Sequence, residues 1–258
     1  MIRAVLKFAG VFAIIMTHLV HHSLINFIIS DEQKRLRYFL RSIARTAGWA
    51  LKILNVKVEF PNGKTDLSKS FIVCNHVSYL DALVLFRHYP SLFITSVEIR
   101  ETFLLGKLCD LAGCFFVERR RSRRTPETIG QEMGSMKQRL SAGFSILLFP
   151  EGTSSNGSTV LPFKTPFFQT VIDCQVPLYP LCLKYVSIND EKFSPTNADL
   201  VCWYGDMTFP DHLFTLCRQK NVVAHVTEIP AIHPAPEHDR VGLARVSHDL
   251  ISGAYAKS

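Results

Sequence analysis

The chain has 258 residues, of which 47% are apolar, so it can bury a full core as one α/β domain with an appendage. Its formal net charge of +7 and its pI of about 9.1 favour an anionic partner, either a phospholipid surface or a nucleic acid. The lysines and arginines follow no nucleic-acid-binding motif and the apolar content suits lipid contact better, so we expect membrane lipids as partners and no nucleic acid.

The first element is an apolar segment, residues 4–29, which is interrupted by Lys7 and by His18, His21 and His22. It is too polar for a regular spanning helix and too apolar for a free surface helix. We therefore expect a shallow or hairpin-like insertion into a membrane. No small-residue cleavage site follows, so a secretory signal is disfavoured, and the histidines lack further ligands at a spacing that would bind a metal.

Residues 31–55 are predicted to form an amphipathic helix. Apolar residues recur at steps of three and four, and basic residues cluster about 130° away from them at 100° per residue. Such a helix lies in a lipid headgroup layer, or alternatively packs on the next domain with a solvated basic face. The apolar set is Leu36, Leu40, Ile43, Ala47, Leu51 and Leu54, and the basic set is Lys34, Arg37, Arg41, Arg45 and Lys52. We therefore assign residues 1–55 to membrane anchoring and residues 56–258 to an α/β domain.

Strand and helix patterns alternate through the α/β domain. Strands are predicted at 56–60, 92–95, 114–117 and 145–149, and helices at 81–88 and 125–142. This alternation predicts an α/β fold with a mixed, mainly parallel sheet flanked by helices.

Residues 71–81 place an imidazole and a carboxylate one helical turn apart, directly after a run suited to a buried strand. If a helix begins near Ser78, the Asp81 carboxylate can hold one ring nitrogen of His76, and the other nitrogen can take a proton from a hydroxyl. Asn75 and Ser78 are expected to cap this helix. The alternative is that His76 is a packed or capping residue without a catalytic role.

Residues 145–153 repeat this architecture, because an apolar run ends there at a tight polar turn. In open α/β sheets the ligand crevice lies at the carboxyl ends of the strands. We therefore expect His76 and Glu151 to face one pocket from neighbouring strands.

Four blocks in order carry a family resemblance: His-x4-Asp in residues 75–81, Gly-x-x-Phe-x-x-Arg in 113–119, Phe-Pro-Glu-Gly-Thr in 149–153, and Val-Pro-Leu-Tyr-Pro in 176–180. They resemble the glycerolipid acyltransferases, typified by 1-acylglycerol-3-phosphate O-acyltransferase. The resemblance implies that family's fold and the transfer of a fatty acyl group from acyl-CoA or acyl carrier protein to a lysolipid hydroxyl. It makes His76 the base and Asp81 its orienter, and it implies no metal or redox cofactor.

The resemblance also implies substrate-binding residues. It assigns Arg119 to a headgroup phosphate, which a guanidinium binds in a bidentate fork. Glu151 would repel a phosphate, so we expect it to accept a hydrogen bond from a substrate hydroxyl or to fix the turn. Thr153 belongs to the same block, and backbone N–H groups around Gly152 or near the helix start are candidates for binding the oxyanion. Because no Gly-x-Ser-x-Gly elbow is present, direct transfer without an acyl-enzyme is expected.

One departure from the family pattern concerns the acceptor. Members that use lysophosphatidic acid commonly carry Arg after Glu-Gly-Thr, whereas this chain has Ser154. The first expectation is acylation of 1-acyl-sn-glycerol-3-phosphate to phosphatidic acid; the alternative is a lyso-ornithine lipid or another lysophospholipid. Lys164 is a candidate to replace the missing charge, although a turn beside the membrane accounts for it equally well.

The basic run and the function of the chain both have alternative interpretations. The basic run 119–124 is a solvated loop or a dock for the phosphates of acyl-CoA or for acidic acyl carrier protein. A catalytically silent membrane-surface binding protein and a hydrolase are the rival functions. The donors place the protein on the cytoplasmic face of the inner membrane, where its seven cysteines, which form no C-x-x-C pair, are expected to be free thiols.

Overall fold

The computed structural model describes residues 1–118 and 125–257, and within them all side chains but those of residues 103–105. The strands of the described chain are β1 (Val56–Glu59), β2 (Phe71–Cys74), β3 (Leu92–Ser96), β4 (Phe115–Val117), β5 (Ile146–Leu148), β6 (Leu178–Ile188), β7 (Glu191–Lys192) and β8 (Val222–Glu228). They form one sheet in the order β1-β8-β6-β2-β5-β3-β4, with β7 paired to β6. All pairs are parallel except β6 with β7 and β6 with β8. The predicted mixed, mainly parallel sheet is confirmed.

Helices flank this sheet on both faces. Those of the described chain are α1 (Ile2–Ile28), α2 (Glu32–Leu54), α3 (Tyr79–His88), α4 (Val97–Arg100), α5 (Phe103–Leu111), α6 (Pro126–Ser141), α7 (Phe168–Cys174), α8 (Phe209–Arg218) and α9 (Arg240–Lys257), with a short 3-10 turn at Ala198–Leu200. The predicted helices at 81–88, 125–142 and 31–55 correspond to α3, α6 and α2.

The central strand β2 is buried on both faces, which is why its sequence is continuously apolar and does not alternate. Phe71 and Val73 contact the core beneath α6, α7 and α9, whereas Ile72 and Cys74 contact the core beneath α2, α3 and α8. The polar residues that follow β2 therefore emerge at the carboxyl edge of the sheet, between two packed layers.

The amphipathic pattern predicted for α2 is confirmed, but its apolar face packs against protein. Leu36, Leu40 and Leu51 are buried, and the helix packs against α1 and α3. This apolar face is therefore not available to lipid, and the alternative of a helix packed on the domain holds. The basic residues Lys34, Arg37, Arg41, Arg45 and Lys52 are all exposed.

The apolar N-terminal segment is one continuous helix, so the hairpin-like insertion expected for residues 4–29 is wrong. Among the described helices, α1 alone is long and apolar enough to cross a membrane. It packs against α2, α5 and α8. The Lys7 ammonium group donates to the carbonyl oxygens of Leu54 at 3.0 Å and Gln219 at 2.7 Å, which ties α1 to the ends of α2 and α8.

Candidate active site

The turn between β2 and α3 is shaped by a capping box. Ser78 is the N-cap of α3 and its Oγ accepts a hydrogen bond from Leu80 N–H at 3.3 Å. In return, the Asp81 carboxylate accepts from Ser78 N–H at 2.9 Å. Two otherwise unpaired donors of the first helical turn are satisfied in this way, so α3 begins at a defined residue. Asp81 is consequently held at the helix start, facing the turn that carries His76.

Asp81 joins the helix cap to the imidazole. Its Oδ2 lies 2.9 Å from His76 Nδ1 and also accepts from Val77 N–H at 2.7 Å. Its Oδ1 accepts from the hydroxyl of Tyr185, on β6, at 2.6 Å. Asp81 is fully buried, whereas the His76 side chain keeps 16% of its surface exposed. The carboxylate is thus immobilised by four donors, and Nε2 of His76 is left for a reacting group.

Phe149 fixes the plane of the imidazole. It follows β5, the parallel neighbour of β2, and its ring stacks on His76 with centroids 4.0 Å apart and an interplanar angle of 14°. The stacked ring covers one face of the imidazole, so the ring can move little while Nδ1 stays on Asp81.

Glu151 lies beside His76, as expected for junctions on neighbouring strands, but both its carboxylate oxygens are used by the main chain. Oε1 accepts from His76 N–H at 2.6 Å and Oε2 accepts from Leu161 N–H at 2.9 Å. Burial raises the pKa of Glu151 to about 7, although the two N–H donors act in the opposite direction. These contacts favour the turn-fixing role over a hydrogen bond to substrate.

Three of the N–H groups expected to bind an oxyanion already have acceptors. Gly152 N–H donates to Phe149 carbonyl at 3.0 Å, and the N–H groups of Val77 and Ser78 both point at Asp81. These three N–H groups are therefore disfavoured as donors to an oxyanion. Gly152 is needed for a different reason, since its φ of +70° is unfavourable for other residues and a Cβ there would lie 2.5 Å from Lys164 Nζ.

Asn75 does not cap α3, so that part of the expectation is wrong. Its side-chain amide donates to Leu183 carbonyl and accepts from Leu183 N–H, both at 2.8 Å. The amide therefore continues the pairing of β2 with β6 beyond Cys74. It is a buried support for the chain that leads into His76.

The remaining predicted residues are less constrained. Thr153 is exposed, and Ser154 turns its hydroxyl to the Trp203 carbonyl. Lys164 is exposed and its side chain lies against Gly152. Arg119 lies outside the described residues. Among the residues that are described, no group of three His, Cys, Asp or Glu side chains forms a metal site.

Sequence reasoning missed Tyr185 and Phe149 as parts of the site. Tyr185 lies 104 residues from Asp81, inside an apolar strand with no motif, so only sheet pairing reveals the contact. Phe149 belongs to a recognised block, but its stacking on His76 depends on β5 lying next to β2.

Comparisons agree with this architecture. A family model described as Acyltransferase matches residues 55–184, which is half of the chain. The chain is 31% identical over 185 residues to the 1-acyl-sn-glycerol-3-phosphate acyltransferase of Neisseria meningitidis, covering 72% of this chain and 66%, just under two thirds, of that protein. It is 28% identical over 221 residues to the lyso-ornithine lipid O-acyltransferase of Brucella abortus, covering 83% of this chain and 79% of that protein.

The fold has a counterpart among solved structures. The crystal structure of the 1-acyl-sn-glycerophosphate acyltransferase from Thermotoga maritima superposes with a TM-score of 0.67, covering 99% of this chain and 96% of that one at 17% identity. The two chains thus share the α/β fold. This chain belongs to the acyltransferase family.

Proposed function

We propose that this protein transfers a fatty acyl group from acyl-CoA or acyl carrier protein to the hydroxyl of a lysolipid. The observation that carries the proposal is the His76–Asp81 pair, whose carboxylate is buried and fully hydrogen-bonded and whose imidazole remains partly exposed. A neutral imidazole oriented in this way is suited to deprotonate an alcohol.

The proposed reaction needs no covalent enzyme intermediate. His76 Nε2 takes the proton of the lysolipid hydroxyl while its oxygen attacks the thioester carbonyl carbon. The tetrahedral intermediate then collapses, the carbon–sulfur bond breaks, and the leaving thiolate receives that proton from His76. Asp81 stabilises the imidazolium that forms between these steps through its 2.9 Å contact with Nδ1.

The acceptor headgroup is proposed to meet the block 149–153 and the arginine of the block 113–119. Arg119 would supply the planar cation for a phosphate, and Lys164 would place a second cation beside Gly152. Glu151 supports this site through the main chain, because its carboxylate joins His76 N–H to Leu161 N–H.

Two acceptors are proposed in order. The first is 1-acyl-sn-glycerol-3-phosphate, supported by the similarity to the Neisseria protein and by Arg119 in the second block. The second is a lyso-ornithine lipid, supported by the similarity to the Brucella protein and by Ser154. The hydroxyl of Ser154 bonds to the Trp203 carbonyl, so this position offers no group to a phosphate.

We also propose that α1 lies in the membrane interface. Most of its exposed side is apolar, with Leu6, Phe12, Met16, Val20 and Leu24 at 39–66% exposure. Arg3, Thr17, His21 and Asn26 are exposed as well. The exposed basic residues of the neighbouring helix α2 suit anionic headgroups. The 60% exposed Trp49 suits the boundary between membrane and water. Because the proposed donors are acyl thioesters, the location that we propose for this surface is the cytoplasmic face of the inner membrane.

The test is acyl transfer in membranes that contain wild-type protein, His76→Ala or His233→Ala. Labelled palmitoyl-CoA and palmitoyl-acyl carrier protein are each offered with lysophosphatidic acid and with lyso-ornithine lipid. We expect transfer by wild type and a loss of transfer rate of about 10²–10⁴-fold in His76→Ala. His233→Ala should leave the rate unchanged, because the His233 imidazole is exposed and lies outside the four motif blocks.

Each other outcome has its own meaning. Equal activity of wild type and His76→Ala would remove His76 from the mechanism, and no activity in either would favour a silent binding protein. Free fatty acid released without acceptor would favour a hydrolase. Transfer to lyso-ornithine lipid alone would make the position of Ser154 decisive for the acceptor.

A further inference from the structure

The turn that joins α5 to β4 carries two cysteines, Cys109 and Cys114. Cys114 N–H donates to the Cys109 carbonyl at 3.0 Å, and Gly113 N–H donates to the Asp110 carbonyl at 3.1 Å. Gly113 has a φ of +66°. These two bonds and a left-handed glycine define a Schellman turn at the end of α5. Cys109 and Cys114 are its first and last residues.

A Schellman turn brings the side chains of its first and last residues into contact. Here both are thiols, and they are hydrogen-bonded to each other: the contact lowers the pKa of Cys109 and raises that of Cys114. The main-chain bond between the same residues holds their Cα atoms at close approach, and a disulfide needs a Cα separation of roughly 4.4–6.8 Å.

The pair is also accessible. Both residues are half-buried, whereas Cys74, Cys182 and Cys202 are buried in the core. Cys114 lines a surface cavity of about 320 Å³ together with Arg100, Phe116, Gln131 and their neighbours. The turn that carries the pair is therefore at the protein surface.

We propose that Cys109 and Cys114 form a reversible dithiol–disulfide site for small organic disulfides. The Cys109 thiolate attacks one sulfur of the reagent, forming a mixed disulfide and releasing one thiolate. Cys114 then loses its proton and attacks the Cys109 sulfur, which forms the internal disulfide and releases the second thiolate. The two cysteines are oxidised by two electrons and the reagent is reduced to two thiols.

The site overlaps the second motif block, of which Cys114 is the second residue. Cys114 directly precedes β4, and Gly113 is the first residue of the block 113–119. Gly113 also packs against Leu36 of α2, where a Cβ would lie 2.4 Å from a methyl carbon. The proposed thiol–disulfide chemistry of this turn does not require the proposed acyl transfer.

The experiment treats the full-length protein in detergent with an aromatic disulfide, alkylates the remaining thiols and digests with trypsin. Both cysteines fall in the peptide 108–119, between Lys107 and Arg119. We expect this peptide to lack two hydrogen atoms and to carry neither aromatic thiol nor alkyl group. Dithiothreitol should restore the dithiol. In Cys114→Ser, Cys109 should instead retain the aromatic thiol.

Cys174, the half-buried last residue of α7, is the internal control and should retain the aromatic thiol. The proposal is overturned if the peptide 108–119 is alkylated at both cysteines, or holds two aromatic thiols, once Cys174 has reacted. The mass of the wild-type peptide decides this even if Cys114→Ser fails to fold.

Discussion

At the scale of single residues, the site depends on one carboxylate that serves two purposes. Asp81 completes the capping box of α3 and, with the same oxygen, holds His76 Nδ1. The base is therefore oriented by the start of a helix and not by a mobile side chain. Tyr185 adds a long-range bond to the other oxygen of Asp81, and this contact leads to the first prediction.

Tyr185→Phe should lower kcat while leaving KM nearly unchanged. The phenyl ring keeps the packing, but Asp81 loses one of its four hydrogen bonds, which is worth about 1–1.5 kcal/mol or roughly a tenfold loss in rate. Steady-state kinetics with saturating donor measures kcat and KM separately. Tyr179→Phe, in the same strand, is the matched control and should retain wild-type kcat. An unchanged kcat in Tyr185→Phe would mean that the remaining donors suffice to orient Asp81.

Glu151→Gln should flatten the dependence of stability on pH. Burial raises the folded-state pKa of Glu151 from its ordinary value of 4.5 to about 7. A raised pKa means that its stabilising contribution is fully present below pH 4.5 and is lost as the pH rises through 7, on the order of 3 kcal/mol. Gln cannot ionise, so this loss disappears.

Urea unfolding of wild type and Glu151→Gln between pH 4.5 and 8 measures the difference in free energy of unfolding. The amide should make the variant less stable at low pH, because its NH2 group faces main-chain N–H donors of His76 or Leu161. The deficit should shrink as the pH rises. A difference that stays constant across this range would contradict the titration of Glu151.

At the scale of elements, α1 shows that the positions of polar residues around a helix matter more than their number. Lys7, His18 and His22 fall within about 60° of one another at 100° per residue, and all three face the protein. Most of the opposite side is apolar. Three of the four polar residues that argued against a spanning helix therefore mark the inner face of a helix whose outer face suits lipid. The fourth, His21, is exposed and bonds to the Tyr38 hydroxyl.

Val20→Glu should weaken binding to lipid vesicles. Val20 is 57% exposed on the apolar side of α1, and a buried carboxylate is costly in the acyl region of a bilayer. We expect at least a tenfold loss of flotation with vesicles of phosphatidylethanolamine and phosphatidylglycerol. Val241→Glu is the matched control, because Val241 is 55% exposed but lies on α9. Equal flotation of the two variants would show that α1 does not contact lipid.

At the scale of the whole molecule, the N-terminal helices share a core with the α/β sheet. Ala4, Val11, Leu51 and Leu54 belong to the same cluster of buried side chains as Leu80 of α3. The segment proposed for membrane anchoring is therefore also part of the folded unit. Its attachment should be sensitive to Lys7.

Lys7→Met should weaken the packing of α1 on α2 and α8. The methionine keeps the apolar stem but leaves two helix-terminal carbonyls without their cation, a loss of about 1.5–3 kcal/mol. Faster proteolysis between α1 and α2, at residues 29–31, and a lower urea midpoint would report it. Lys52→Met, at an exposed lysine, should change stability by less than about 0.5 kcal/mol. Equal proteolysis rates and urea midpoints in the two variants would show that Lys7 does not hold α1 in place.

Much of the site could be predicted because its key contacts are local. The capping signal at Ser78 and the position of Asp81 three residues later specify the turn that holds His76, because the capping box involves only residues of that turn. The continuously apolar run at 71–74 likewise predicted a buried strand. Asn75 was assigned to the wrong partner for the opposite reason, since its partner Leu183 is 108 residues away.

By itself, the sequence determined the strand–turn–helix unit that pairs His76 with Asp81, the amphipathic pattern of α2 and the family blocks, because periodicity and capping act over a few residues. Only the tertiary structure decided that Glu151 holds the main chain of His76, that Tyr185 reaches Asp81, and that α1 turns Lys7, His18 and His22 inward. Those contacts depend on strand order and helix packing, which bring distant residues together and which no local pattern encodes.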